Sequence, residues 1–238
     1  LRWEINPSPT GRGDKKPFTL LSPPDLTKLD QSGLQLAPDG TPYYETDFTN
    51  IAPRFGLSYL VSDKAGQEMV IRGGIGVFYD LGQSGFGNVG FPYSKSNTLF
   101  GLPIPLPASA FTYTPLNFVP SPTNRASLTV AGPDYTAPRT YQWNLTAERS
   151  LGKDSAVSVA YVAAQGRDLA RALSLSFSAT PQVGTYFSPN YSNVTYIDNG
   201  SESDYHSMQV QYTKRLSKGF QALANYTWVF SQADMSRL

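Results

Sequence analysis

The stretch YHSMQVQYTKRLSKGFQALANYTWVFSQ, residues Tyr205–Gln232, decides how the chain folds. Two β-rich runs, Tyr205–Arg215 and Phe220–Gln232, flank a polar turn, Leu216–Gly219, that contains Ser, Lys and Gly. Met208, Val210 and Tyr212 alternate with Gln209 and Gln211. Phe220, Ala222, Ala224, Tyr226, Trp228 and Phe230 alternate with Gln221, Asn225 and Thr227. A strand turns successive side chains to opposite sides, so this is a hairpin with one apolar and one polar face.

Two more pairs repeat the pattern. Pro53–Ser62 and Met69–Asp80 are separated by Asp63–Glu68, and Thr140–Ser150 and Ser155–Ala164 by Leu151–Asp154. Their apolar positions are Phe55, Leu57, Tyr59 and Val61; Ile71, Gly73, Ile75, Val77 and Tyr79; Tyr141, Trp143, Leu145 and Ala147; and Val157, Val159, Tyr161 and Ala163. None carries a charge; Arg149, Lys214 and other polar residues enter this face only at the run ends. A basic residue facing lipid costs about 2–4 kcal/mol near the midplane and about 0–1 kcal/mol near the interfaces, which selects such a distribution. The run Leu1–Ile5 reads as the end of a further strand, giving about seven in all.

The connections between pairs, Asn6–Ala52, Leu81–Arg139 and Gln165–Asp204, are long and hold most of the prolines. Compact domains rarely keep structureless loops beyond about 12–15 residues. Long and short links alternate, so the long loops project from one end, as the external loops of outer-membrane barrels do. Tyr79, Tyr141, Trp143, Tyr205, Tyr226 and Trp228 are placed near that end, where an aromatic girdle is expected. The pattern predicts an all-β, antiparallel, up-and-down transmembrane β-barrel, partial, with long extracellular loops. A soluble sandwich or lipocalin-like barrel shares the alternation but not the loop asymmetry.

Composition removes other classes. The 238 residues carry a net charge of +1, which recruits no nucleic acid. With no cysteine there is no disulfide, thiol catalysis or Cys-ligated metal, and a single histidine, His206, argues against a histidine-rich metal site. No run approaches the roughly 18 apolar residues of a membrane helix. We expect no enzyme activity, no cofactor and no catalytic or metal-ligating residues. Gly85–Gly90 (GFGNVG) fits a dinucleotide-binding pattern but is followed by Phe91-Pro92-Tyr93 where that motif needs a helix. Arg12-Gly13-Asp14 reads as loop composition, and Leu102–Pro107 (LPIPLP) as a stiff spacer.

Ala52–Tyr59 (APRFGLSY), Arg72–Asp80 (RGGIGVFYD), Arg139–Leu151 (RTYQWNLTAERSL) and Tyr205–Thr227 resemble the barrel of TonB-dependent outer-membrane receptors, closest to the Oar-like subgroup. The resemblance covers roughly residues 50–80, 139–169 and 204–232. It implies that residues 1–238 are a fragment of a larger receptor from the outer membrane of a Gram-negative bacterium, with the plug and both chain ends missing. Its partners would be outer-membrane lipid, the TonB complex through the missing N-terminal part, and an unknown large substrate. Arg54, Arg72, Gln142, Asn144, Glu148, Gln209, Gln211, Gln221 and Asn225 would line the lumen. Phe91, Tyr93, Phe100, Phe111 and Tyr113 would meet substrate first, because aromatic rings stack on sugars and large organic ligands. A plug-less porin, a surface adhesin and a soluble carbohydrate-binding β-domain are the rival readings.

Overall fold

The computed structural model describes residues 2–9, 18–38, 40–80, 100–101, 104–105, 107, 120–123 and 125–234. Its strands are β1 (Arg2–Trp3), β2 (Ile51–Ala52), β3 (Arg54–Ser62), β4 (Met69–Tyr79), β5 (Ala126–Ala131), β6 (Arg139–Ser150), β7 (Ser155–Ser176), β8 (Tyr191–Ser217) and β9 (Phe220–Asp234). The described residues contain one 3-10 turn, Gln31–Gly33, and no helix long and apolar enough to cross a membrane.

β3, β4, β6, β7, β8 and β9 form an antiparallel meander, each paired with the next. Its register joins the expected apolar positions into continuous rows. One row runs Phe55, Ile75, Trp143, Ala163, His206 and Phe230. The next runs Leu57, Gly73, Leu145, Tyr161, Met208 and Trp228, and the third Tyr59, Ile71, Ala147, Val159, Val210 and Tyr226. A one-residue slip anywhere would break every row, so six strands agree on one face. No described layer covers that face: Phe55 is 76% exposed, Leu57 68% and Tyr226 67%. A soluble sandwich would bury these residues against a second sheet, and here Trp143 is half-buried while Tyr161 and Trp228 are exposed. The sheet is not closed; β3 and β9 are its edges.

Tight turns join the strands at one end. Lys218 and Gly219, at φ 52° and 79°, make a two-residue turn of the kind that matches strand twist, shorter than the four residues the sequence suggests. Gly66 and Gly152, at φ 75° and 78°, sit in the neighbouring turns, and the Gly152 N–H donates to the Gly66 carbonyl at 2.8 Å.

At the other end the expectations need correcting. Residues 165–204 are a loop over 177–190 alone: β7 and β8 continue past the meander as a paired ribbon, with register shifts between Gly166 and Arg171. Leu173 and Leu175 on one strand, and Val194 and Tyr196 on the other, repeat the period-two signal there. β8 has 27 residues, against about 9–11 needed to cross a bilayer, so the rest projects beyond it. Within 81–139, β5 pairs parallel with β8, which no meander predicts. It takes the β8 edge at Tyr191–Ile197, and β9 takes the same edge at Glu202–Ser217. β1 and β2 form a separate two-stranded sheet through Arg2 and Trp3, and the Glu4 N–H extends it with a bond to the Asn50 carbonyl at 3.0 Å.

The hydrophobic core lies in this upper structure, termed the cap. Leu20, Leu128, Val130, Leu175, Phe177 and Val194 form one buried cluster, and Tyr43, Tyr44, Ala131, Tyr135 and Ile197 a second. Arg125 locks β5 in place: its Nη2 donates to the carbonyls of Phe177, Ser188 and Tyr191. Asn199 ties β8 to the approach of β6, accepting from the Thr136 N–H at 2.7 Å and donating to the Thr136 carbonyl at 3.0 Å.

Candidate functional site

The second face of the meander carries all nine residues expected to line a lumen. Arg54, Arg72, Gln142, Asn144, Glu148, Gln209, Gln211, Gln221 and Asn225 are exposed and share one side of the sheet. Thr146 stands between Arg72 and Ala160, and Gln209 between Ala160 and Thr227. Gln211 lies between Ser158 and Asn225. The wall is therefore made of amides and hydroxyls, with few charges.

Two of its three named charges already have partners. Arg72 Nη1 lies 3.2 Å from Glu148 Oε2, across β4 and β6, and both side chains are about half exposed. An exposed pair of this kind is worth about 0–1 kcal/mol, so it orders the wall more than it stabilises the fold. Arg54, level with Gln142 and six residues along β6 from Glu148, lays its guanidinium 4.3 Å from the centre of the Phe78 ring. Gly56 faces Gly74 directly, leaving the amide of Asn144 beside a stretch without side chains.

Charges bracket the apolar face. Below it stand Arg149, beside Met69 and Val157, and Lys214, beside Ser155. Above it Arg167 pairs with Asp204 at 2.9 Å, Arg139 with Asp168 at 2.8 Å, and Arg171 with Asp198. Sequence reasoning missed this upper belt because its members lie where a loop was expected. Three placements also change. Tyr205 pairs with Ala164 and Ser231 on the polar face, not in a girdle. Tyr226 lies two rows closer to the tight turns than Trp143. His206 is inside β8, not at a strand start, and its Nδ1 is 2.7 Å from the Tyr161 hydroxyl.

Of the five aromatic contacts expected for substrate, Phe100 is 88% exposed. Phe91, Tyr93, Phe111 and Tyr113 lie outside the described residues, as do the GFGNVG and Arg12-Gly13-Asp14 segments and part of Leu102–Pro107.

The cap has its own electrostatics. Burial pushes the hydroxyls of Tyr43, Tyr44, Tyr135, Tyr191 and Tyr196 above the usual tyrosine value, Tyr135 to about 12. Groups raised on folding contribute stability that is complete below the unfolded value near 10 and is lost as pH rises through the folded value. We therefore expect the cap to open between about pH 10 and 12. Tyrosinate absorbance should then rise together with loss of amide protection in β5. Tyrosinate formation complete near pH 10 with β5 still protected would contradict this assignment.

With the geometry in place, the comparisons can be stated. A family model described as an outer membrane beta barrel domain matches residues 1–235. Neither the curated proteins nor the solved structures include a match.

Proposed function

Because the chain belongs to the outer membrane β-barrel domain family, we propose that it forms wall and surface cap of a TonB-dependent transporter that takes up large nutrients. The family places the chain in the outer membrane, with its apolar face in lipid. The finer reading is carried by the polar wall. Gln142, Asn144, Gln209, Gln211, Gln221 and Asn225 offer donors and acceptors that no described residue covers. Such a surface suits a folded plug, which can satisfy many amides at once, and the resemblance of 50–80, 139–169 and 204–232 to TonB-dependent barrels, closest to the Oar-like subgroup, points the same way. On this reading residues 1–238 are part of a longer receptor, further strands continue from the edges of β3 and β9, and the role is non-enzymatic.

A passive porin is the competing reading, and conductance separates the two. The full-length protein in a planar bilayer should pass no steady current, and it should bind the periplasmic domain of TonB. A large ohmic conductance without TonB binding would overturn the transporter and leave a porin.

A further inference from the structure

We propose that the lower border of the apolar face, at the tight-turn end, holds the head group of an anionic phospholipid. Charge is arranged differently at the two borders. At the upper one the protein answers its own cations: Arg167 pairs with Asp204 at 2.9 Å and Arg139 with Asp168 at 2.8 Å. At the lower one Arg149 and Lys214 stand on the apolar side of β6 and β8, and no described carboxylate is ion-paired with either. The rise from Asp204 to Lys214 along β8, at about 3.3 Å per residue and a tilt of about 40°, is about 25 Å, the height of a barrel's apolar band. With Asp204 at one head-group level, Lys214 therefore reaches the other.

The side chains at this level are donors. Arg149 is level with Val157 and Tyr212, and Lys214 with Ser155, the next position on the same face. A strand spacing of about 4.8 Å and the rise of one further pair of residues set the two backbones roughly 12 Å apart, a gap that two long side chains close onto one phosphate. The Tyr212 hydroxyl donates to Ser155 Oγ at 3.3 Å, so Ser155 keeps its own O–H to donate. A guanidinium fork, an ammonium and a hydroxyl together suit a phosphate. Val157, Val159 and Val210 beside them suit acyl chains, which a free phosphate ion lacks. The acids of this end set the charge class. Glu68, Glu148 and Asp154 line a cleft with Arg215 on the polar side, and Asp63 lies in the turn after β3, two strands from β6. A zwitterionic head group would bring its ammonium beside Arg149 and Lys214, where Val157, Tyr212 and Ser155 offer no charge to receive it. A lipid of net negative charge meets no such repulsion. This inference rests on the family's placement of the apolar face in lipid and is independent of the transport reading.

The test uses the full-length protein in detergent micelles and native mass spectrometry, with phosphatidylglycerol, phosphatidylcholine and inorganic phosphate as probes. The first phosphatidylglycerol should bind about tenfold more tightly than phosphatidylcholine, since each basic residue near an anionic lipid surface is worth roughly fivefold. Arg149→Gln with Lys214→Gln should reduce that preference below about threefold, and Arg149→Lys with Lys214→Arg should keep it. Should the double Gln variant fail to insert, the single variants carry the test, each lowering the preference about threefold. Insertion is read separately, from the heat-resistant gel form in vesicles. A wild-type chain that does not insert refutes the placement in lipid, whereas insertion without lipid preference refutes this site alone. Equal binding of the two lipids would overturn the inference, as would displacement of phosphatidylglycerol by millimolar phosphate. So would a preference that the Gln variants leave unchanged, because the lipid would then sit elsewhere.

Discussion

Leu145→Arg in the full-length protein is expected to cost about 2–4 kcal/mol of folding free energy in phospholipid vesicles, whereas Asn144→Arg, one residue away, should cost less than about 1 kcal/mol. Leu145 stands between Gly73 and Tyr161 in the middle apolar row and is 57% exposed, so little packing is lost by replacing it. On the proposed reading, what changes is the medium around the new guanidinium: acyl chains at 145, and the polar wall at 144. Urea unfolding followed by tryptophan fluorescence would measure both. Equal cost at the two positions, or a larger cost at 144, would place the apolar face somewhere other than in lipid.

Leu128→Ala should destabilise the cap by about 2–5 kcal/mol. Leu128 is 2% exposed, pairs with Val194 across the parallel ladder and packs in the cluster of Val130, Leu175 and Phe177. Removing three buried carbons leaves a cavity beside a strand whose ladder is made with β8 alone among the described strands, so the damage should stay local. Hydrogen exchange should show protection lost across Ala126–Ala131. The heat-resistant, fast-migrating gel form typical of a folded barrel should survive. Unchanged exchange in β5 would mean that the cluster does not hold the cap together.

The apolar rows were legible in the sequence because lipid imposes a strict rule on each alternate position, and that rule needs no knowledge of neighbours. The polar wall was legible for the same reason. The cap was not. Leu20, Leu128 and Val194 come from distant parts of the chain, and nothing at any one of them signals the other two. The ribbon beyond Gln165 carries its alternation in Leu173, Leu175, Val194 and Tyr196, but bulges near Asp168, at φ 55°, break the pattern before it can be followed. Lys218-Gly219 was expected as part of a longer turn because Ser217 reads as polar punctuation, although it pairs with Phe220. Arg125 gave no signal, since a clamp on three carbonyls depends on backbone that only the folded chain assembles.

The parallel seat of β5 also sets an order of events. The Ser192 hydroxyl donates to the Ala126 carbonyl from 66 residues farther along, so β5 gains its ladder on β8 after the chain beyond it has been made and folded back, and until then it can meet earlier chain such as Thr19 and Leu20. Hairpins with tight turns close at once, while this contact must wait. Until the ribbon arrives, Leu128 and Val130 lack the cover of Leu175 and Val194, which leaves part of an apolar stretch open to association.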